Sequence, residues 1–468
     1  MATQTAGREP SILNPGLLAC IATAALAGLL FGFDTAVISG VTDALTREYA
    51  LTPGWLGITV SAALWGTLAG ALFAGIPGDR YGSRDTLRIL ALFYVVSAIG
   101  CAIAWDWGSL VLFRVLAGLA VGGSSVLAPV YIAEIAPPSR RGQLVAAFQF
   151  MVIAGILLAY VSNAIIAAVE PDDIAWRWKL GVSAAPALVF MALLFRIPNS
   201  PRWLVMHGRD DEARRSLARI GMTDALADRE IAGVHADLAD QPANERLSWR
   251  LHRKPILLAV LVAGFNQLSG INAFLYYLND IFARSSTALS ADVQAIIIGV
   301  VNGIFTFVGM LLIDRLGRKT LLMAGSLGMA ASLFVGGLSL LGTIPSWLLL
   351  PALIGFIAFF APSTGAVIWV YISEVFPTSV RSRGSAVGAS THWGLNAVIA
   401  AAFPAVAAYS AGAPFLFFAA MMALQFVVVL LYFPETKGVP LERMRQQLGL
   451  AGGHERMAAD PNAAGPRR

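Results

Sequence analysis

Twelve apolar runs of about twenty residues each, separated by polar loops, dominate this 468-residue chain. They fall at about 17–40, 55–76, 86–104, 110–133, 143–168, 179–197, 255–280, 291–313, 320–341, 347–373, 384–409 and 413–433. A bilayer core is about 30 Å thick and a helix rises about 1.5 Å per residue, so each run can cross once. In lipid a crossing segment must satisfy its own backbone N–H and C=O groups, which makes each run a helix. The composition agrees: 57% of residues are hydrophobic and 13% charged, at a mean hydropathy of +0.70, too apolar for a water-soluble domain. The expected fold is an all-α membrane protein of twelve transmembrane helices.

The opening MATQTAGREPSILNPG has neither a basic n-region nor a small-residue cleavage site, so the first run is expected to remain as a span. One set of loops carries Arg80, Arg84, Arg88, Arg140, Arg141, Arg315, Arg318, Lys319, Arg381 and Arg383, while the other has only Arg47, Arg177, Lys179 and Arg284. By the positive-inside bias the richer face is cytoplasmic, with both termini and the loop near 198–253, in a cell (inner) membrane. The net charge of +5 then reports topology and contact with anionic lipid, not nucleic acid. Cys20 and Cys101 both lie inside spans and suggest neither a disulfide framework nor a metal site. No phosphate-binding loop, HExxH or serine-nucleophile elbow stands in a plausible context, which argues against an ATP-driven pump or a membrane hydrolase. No catalytic residue, cofactor or metal is expected.

The chain repeats itself. DRYGSR at 79–84 returns as DRLGRK at 314–319, and YIAEIAPPSRRG at 131–142 as YISEVFPTSVRSRG at 371–384. PNSPRWL at 198–204 and PETKGVPL at 434–441 each follow a sixth span. Three pairs in order at nearly one offset imply a duplication: a six-helix bundle at 1–197, a linker with short helices at 198–254, a second bundle at 255–433 and a tail at 434–468. Transporters use such repeats to rock one half against the other about a midplane site. In the linker, DDEARRSLARIG with Gly221 as a cap, and Leu226, Ile231, Val234 and Leu238 behind Thr223, predict two amphipathic helices packed under the bundles.

Charges at helix ends on the basic face can form a network that closes that face and breaks when it opens. Asp79, Arg80, Arg84, Glu134 and Arg141 in the first half, and Asp314, Arg315, Arg318, Lys319, Glu374 and Arg381 in the second, are the candidates. The alternative is that the arginines only set topology, and the repeated Glu–Arg spacing favours a gate. Within the first span, Asp34 costs at least ~2.5 to 3.5 kcal/mol in lipid. Arg114, near the start of the fourth, is the other charge inside a first-half span, and pairing lowers the cost of both. Such a pair can be permanently ionised and structural, or the carboxylate can exchange a proton as its separation and water access change.

GFDTAVISG (32–40), the two DRxG-type loops, FRVLAGLAVGG (113–123), YIAEIAPPSRRG, PNSPRWL, NQLSGIN (266–272) with Tyr276 and Tyr277, WVYISEVFP (369–377) and FPETKG (433–438) together resemble the sugar porter family of the major facilitator superfamily. That family includes bacterial proton-linked xylose and glucose symporters and facilitative glucose transporters. The resemblance implies the major facilitator fold and a monomer that imports a monosaccharide with a proton. It also implies Asp34 as proton carrier beside Arg114, since facilitative members have a neutral residue at the Asp position. A sugar needs neutral donors and acceptors and an aromatic platform. Gln149, Asn266, Gln267, Asn272, Asn302 and Asn396, with Trp369 and Trp393, supply these inside spans. Gln267 and Asn272 flank Ser269-Gly270, a predicted break in the seventh span. The resemblance puts Phe31, Gln149, Gln267, Asn272, Asn302, Trp369 and Asn396 around the sugar, and Tyr276 and Tyr277 at the outer gate.

The chain also departs from the family pattern. Asn266 stands where glutamine is common, His392 where an amide is common, Ser83 where the loop usually has arginine, and Ala366 where proline is usual. His392 can bond a sugar hydroxyl or titrate near neutrality. Ile156 matches glucose-facilitator types and favours a hexose. A facilitative uniporter or a carrier of a polyol remain as alternatives. A drug antiporter would have a less amide-rich cavity, and a channel would show a ring of charges rather than two repeats.

Overall fold

The computed structural model describes residues 14–137, 140–170, 172–239, 247–284, 289–377 and 380–437. The first thirteen residues, the segment 240–246 and the tail beyond 437 lie outside the described residues. Among those described are twelve helices long and apolar enough to cross a membrane, numbered here as spans 1 to 12: Pro15–Gly40, Pro53–Phe73, Ser83–Ala102, Trp107–Ile135, Arg141–Val169, Asp173–Leu194, Trp249–Tyr276, Ala291–Leu316, Arg318–Leu340, Ser346–Val375, Arg383–Tyr409 and Ala413–Tyr432. Large apolar side chains such as Phe73, Leu112, Ile165, Ile304, Phe307 and Leu431 stand exposed on their outer surfaces. Water would penalise such a surface and a hydrocarbon solvent does not.

The sequence prediction begins span 6 at 179, whereas the helix starts six residues earlier. Asp173, Arg177 and Lys179 depress the local hydropathy, yet both cations are satisfied where they sit. Arg177 Nη1 donates to the carbonyls of Ala102 and Ala104 at 3.1 and 2.8 Å, and Lys179 Nζ to that of Gly40 at 2.8 Å. Span 7 breaks at Ser269–Gly270. Gly270 has φ +82°, a left-handed conformation that glycine adopts without steric penalty, and a short helix, Ile271–Tyr276, continues from it. Span 10 carries a π-helical turn over Ala361–Gly365, just ahead of Ala366, so this helix is irregular without a proline at 366.

Spans 1 and 5 pack along each other, as do spans 2 and 4, spans 3 and 4, and spans 9 and 12. Across the repeat, span 2 packs on span 11 and span 5 on span 8. Between spans 6 and 7 lie the helices Pro201–Met206, Asp210–Arg219 and Asp224–Ala239. Ala213, Leu217, Ala227, Ile231 and Val234 are buried there, and Gly221 ends its helix with φ +88°. The face that carries these helices and the segments 74–82 and 433–437 is called the basic face below, and its opposite the far face.

Candidate functional site

Span 1 enters the interior with small residues and places one carboxylate, Asp34, in the last third of its length. Arg114 Nη1 donates to Asp34 Oδ1 at 2.7 Å, joining span 1 to span 4. The Arg114 side chain is 4% exposed and that of Asp34 21%, so the arginine is sealed while the carboxylate keeps some access. Arg114 Nε is buried without a hydrogen-bond partner. Beside the pair lies a cavity of about 10 Å³, room for roughly one water, lined also by Phe31, Thr35, Thr67, Tyr276 and Trp393. The pair thus shares a small internal space with residues of spans 7 and 11.

The amides of span 7 cluster around its break. Gln267 Nε2 donates to Asn266 Oδ1 at 3.1 Å and lies 3.0 and 3.1 Å from the two ring nitrogens of His392, either of which can accept. Asn272 Nδ2 donates to Gln267 Oε1 at 3.0 Å. His392 sits between Trp369 and Trp393, with ring centroids 5.1 and 5.0 Å away, and Trp393 meets Phe31 at 5.7 Å. Asn396 Nδ2 donates to the Tyr276 hydroxyl at 3.0 Å, and Tyr277 donates to the carbonyl of Ala400 at 2.9 Å while stacking on Phe403. The result is a wall of donors and acceptors with aromatic faces, which suits a polyhydroxylated solute. Gln149 is exposed on span 5 and Asn302 half-buried on span 8, and neither joins the hydrogen-bonded cluster around Gln267.

Hydrogen bonds join the two sets of six spans at the far face. Ser39 Oγ donates to Asn279 Oδ1 at 3.3 Å, Thr42 Oγ1 to Asp280 Oδ1 at 2.9 Å, and Tyr160 to the carbonyl of Leu275 at 3.4 Å. Spans 2 and 11 touch there so closely that a Cβ on Gly57 would meet the carbonyl of Ala401. The far face is therefore closed.

At the basic face the duplicated charges do not form matching networks. In the second half, Arg318 holds Glu374 through Nε and Nη2, at 3.2 and 2.8 Å, and Asp314 through Nη1 at 3.1 Å. Glu435 accepts the backbone N–H groups of Arg318, Lys319, Thr436 and Lys437, all at 2.9 to 3.0 Å. Those four amides hold its carboxyl below the usual carboxylate range against the burial that would raise it. The Thr436 hydroxyl completes Glu374. In the first half, Ser83 occupies the place of Arg318 and Asn199 that of Glu435, while the hydroxyls of Ser83 and Ser200 face Glu134. Glu134 Oε2 has no hydrogen-bond partner, and Arg141 and Arg202 line a cavity of about 270 Å³ beside it. Arg84 turns instead to Asp85, through Nε at 2.9 Å. Asp79 offers its carbonyl to Trp203, Arg80 lies over the Tyr81 ring, and the Arg315 carbonyl accepts from Lys437. Sequence reasoning missed Glu435, Thr436 and the far-face residues Ser39, Thr42, Asn279, Asp280 and Asp292. The repeated Pro-x-Ser/Thr after each sixth span was a signal for Glu435, whereas Ser39, Asn279, Asp280 and Asp292 stand at the edges of predicted spans, where polar residues are ordinary, and gave none.

Comparison with known proteins gives one consistent picture. The profile of the Sugar (and other) transporter family matches residues 20–448. The arabinose-proton symporter of Bacillus subtilis is 35% identical over 439 residues, covering 92% of this chain and 94% of that protein. The glucose transporter GlcP of Staphylococcus epidermidis is 34% identical over 438 residues, covering 91% and 95%. The inward open structure of the xylose transporter XylE from E. coli superposes with a TM-score of 0.82 at 31% identity, covering 92% of this chain and 99% of that one.

Proposed function

Because the chain belongs to the Sugar (and other) transporter family, we propose that it imports a monosaccharide together with a proton, by alternating access between two six-span halves, 1–197 and 255–433. The relatives' names, arabinose, glucose and xylose, bound the substrate class to pentoses and hexoses. The basic face is cytoplasmic in this reading, so the termini lie inside a cell membrane and the protein works as a monomer in the lipid bilayer.

The observation that carries the reading is the Asp34–Arg114 pair, whose carboxylate borders the same small cavity as Tyr276 and Trp393. In this reading Asp34 carries the proton, and its pairing with Arg114 is made and broken in the course of the cycle. The sugar draws spans 7 and 11 toward span 1 through Gln267, Asn272, Asn396 and the aromatic faces. Closure around it therefore changes the surroundings of Asp34, which is what couples the two movements. One proton falling through 100 mV supplies ~2.3 kcal/mol, and at ~1.4 kcal/mol per decade this supports roughly fifty-fold accumulation.

The test is uptake into proteoliposomes across a panel of hexoses, pentoses and polyols, with and without a proton gradient. Uphill uptake of at least one monosaccharide that collapses with the gradient supports the reading. Equal downhill fluxes with and without the gradient would instead assign the chain as a facilitative uniporter.

A further inference from the structure

The far face holds a carboxylate that the Asp34 mechanism does not use. Asp280 follows span 7 in the short helix Leu278–Phe282 and accepts its hydrogen bond from Thr42, which belongs to the first half of the chain. The vestibule around it, about 570 Å³, is lined also by Ser39, Asp43, Lys179, Asn279, Arg284 and Asp292. We propose that Asp280 is a second proton-binding site of this transporter, protonated when the far face closes and ionised when it opens; the inference rests on the alternating-access reading above.

The hydrogen bonds carry the argument. Thr42 Oγ1 lies 2.9 Å from Asp280 Oδ1 and 3.3 Å from the carbonyl of Ser39, but it has one proton to give. With Asp280 ionised, that proton goes to the carboxylate and the Ser39 carbonyl is left without it. With Asp280 protonated, the carboxyl donates to Thr42 and Thr42 donates to Ser39, so both protons are used and the strap across the halves gains a bond. The groups that face Asp280 do not offset a negative charge well. Asp43, on the helix Thr42–Glu48, adds a second one, and Arg47 is already held by Asp43 at 3.2 Å. Lys179, from span 6, gives a hydrogen bond to the carbonyl of Gly40. Asp292, at the start of span 8, accepts from Asn279, whose carbonyl is in turn bound by Ser39. Arg284 is the cation that acts on Asp280 to favour ionisation, and burial outweighs it.

Desolvation accordingly pushes the Asp280 carboxyl up to about 6 in this closed arrangement, opposed by the Thr42 hydrogen bond and reinforced by Asp43. An open far face returns it to water and to the ordinary carboxylate range near 3.9. The sign follows: the closed form binds the proton more tightly, so closure is favoured as pH falls through 6 and the advantage is absent above about 7. Between pH 7 and pH 5 the ratio of closed to open molecules rises about tenfold. Acid on the far side thus helps shut the gate behind an incoming sugar.

The experiment places spin labels on Gly54→Cys and Tyr409→Cys, at the far ends of spans 2 and 11, with Cys20 and Cys101 replaced by alanine. Distance distributions are recorded in liposomes at pH 7 and pH 5 without sugar. The short-distance population should grow about tenfold relative to the long one in the otherwise unaltered protein, and equally in Asp34→Asn. Asp280→Asn keeps an acceptor for Thr42 and should abolish the response. A response that survives in Asp280→Asn overturns the proposal. So does one lost in Asp34→Asn alone, which would assign the pH dependence to the span 1 carboxylate and leave the transport reading intact.

Discussion

Arg114 is more deeply buried than Asp34, its side chain 4% exposed against 21%, although both line the small cavity shared with Tyr276 and Trp393. A proton carrier needs this inequality, because the partner must stay charged and fixed while the carrier changes state. Replacing Arg114 by leucine removes the charge partner of Asp34, so the coupling of sugar movement to the proton is expected to be lost. Sugar exchange should survive and accumulation should fall to the level set by diffusion, measured as counterflow and gradient-driven uptake on one preparation. At the amide cluster, Gln267→Ala deletes bonds to Asn266, Asn272 and His392 at once. Each bond of this kind contributes about 1 kcal/mol, so KM should rise about tenfold or more, whereas His392→Gln, which retains a donor and an acceptor, should change it only a few-fold.

Two elements are irregular where the site needs them to be. The break at Gly270 turns span 7 so that Gln267 and Asn272 converge, and a Cβ there would strike the ring of Phe418 as well as strain a left-handed backbone. Gly270→Ala is expected to lower the thermal midpoint of the purified protein and to cost at least about 1 kcal/mol. At the basic face, Glu374 has arginine as partner and Glu134 has hydroxyls. Glu374→Gln loses a charge-assisted pair worth about 1.5 to 3 kcal/mol, so maximal uptake should drop at least about tenfold. Glu134→Gln exchanges one acceptor for another and should leave uptake within a few-fold. If the two substitutions act alike, the unequal networks have no bearing on gating. Asp34 and Arg114 stood out in the sequence because a charge within an apolar run has few explanations, and the break at Ser269-Gly270 because glycine punctuates helices. Glu435 did not, because a carboxylate in a loop reads as solvated until the fold brings it back onto helix ends, and Asp280, the last residue of the predicted seventh span, reads as a span end although the span stops at Tyr276. Likewise Arg177 and Lys179 hid the start of span 6, since hydropathy counts their charge and not the carbonyls that satisfy it.

At the scale of the whole molecule, the far face is closed by bonds between the halves while the basic-face ion pairs of Arg318 lie within the second half alone. The chain also superposes on an inward open structure of the xylose transporter XylE with a TM-score of 0.82. Twelve spans and a duplicated order of loops made this architecture legible from the chain itself, whereas which face is closed depends on side-chain contacts between distant segments. The central claim, that sugar and proton cross together through Asp34, is tested most directly by adding sugar to proteoliposomes in a weakly buffered medium with no imposed gradient and recording external pH. Sugar entry should alkalinise the medium in the unaltered protein, and Asp34→Asn should still exchange sugar with no pH change. Sugar entry without alkalinisation, or alkalinisation that persists in Asp34→Asn, would contradict it.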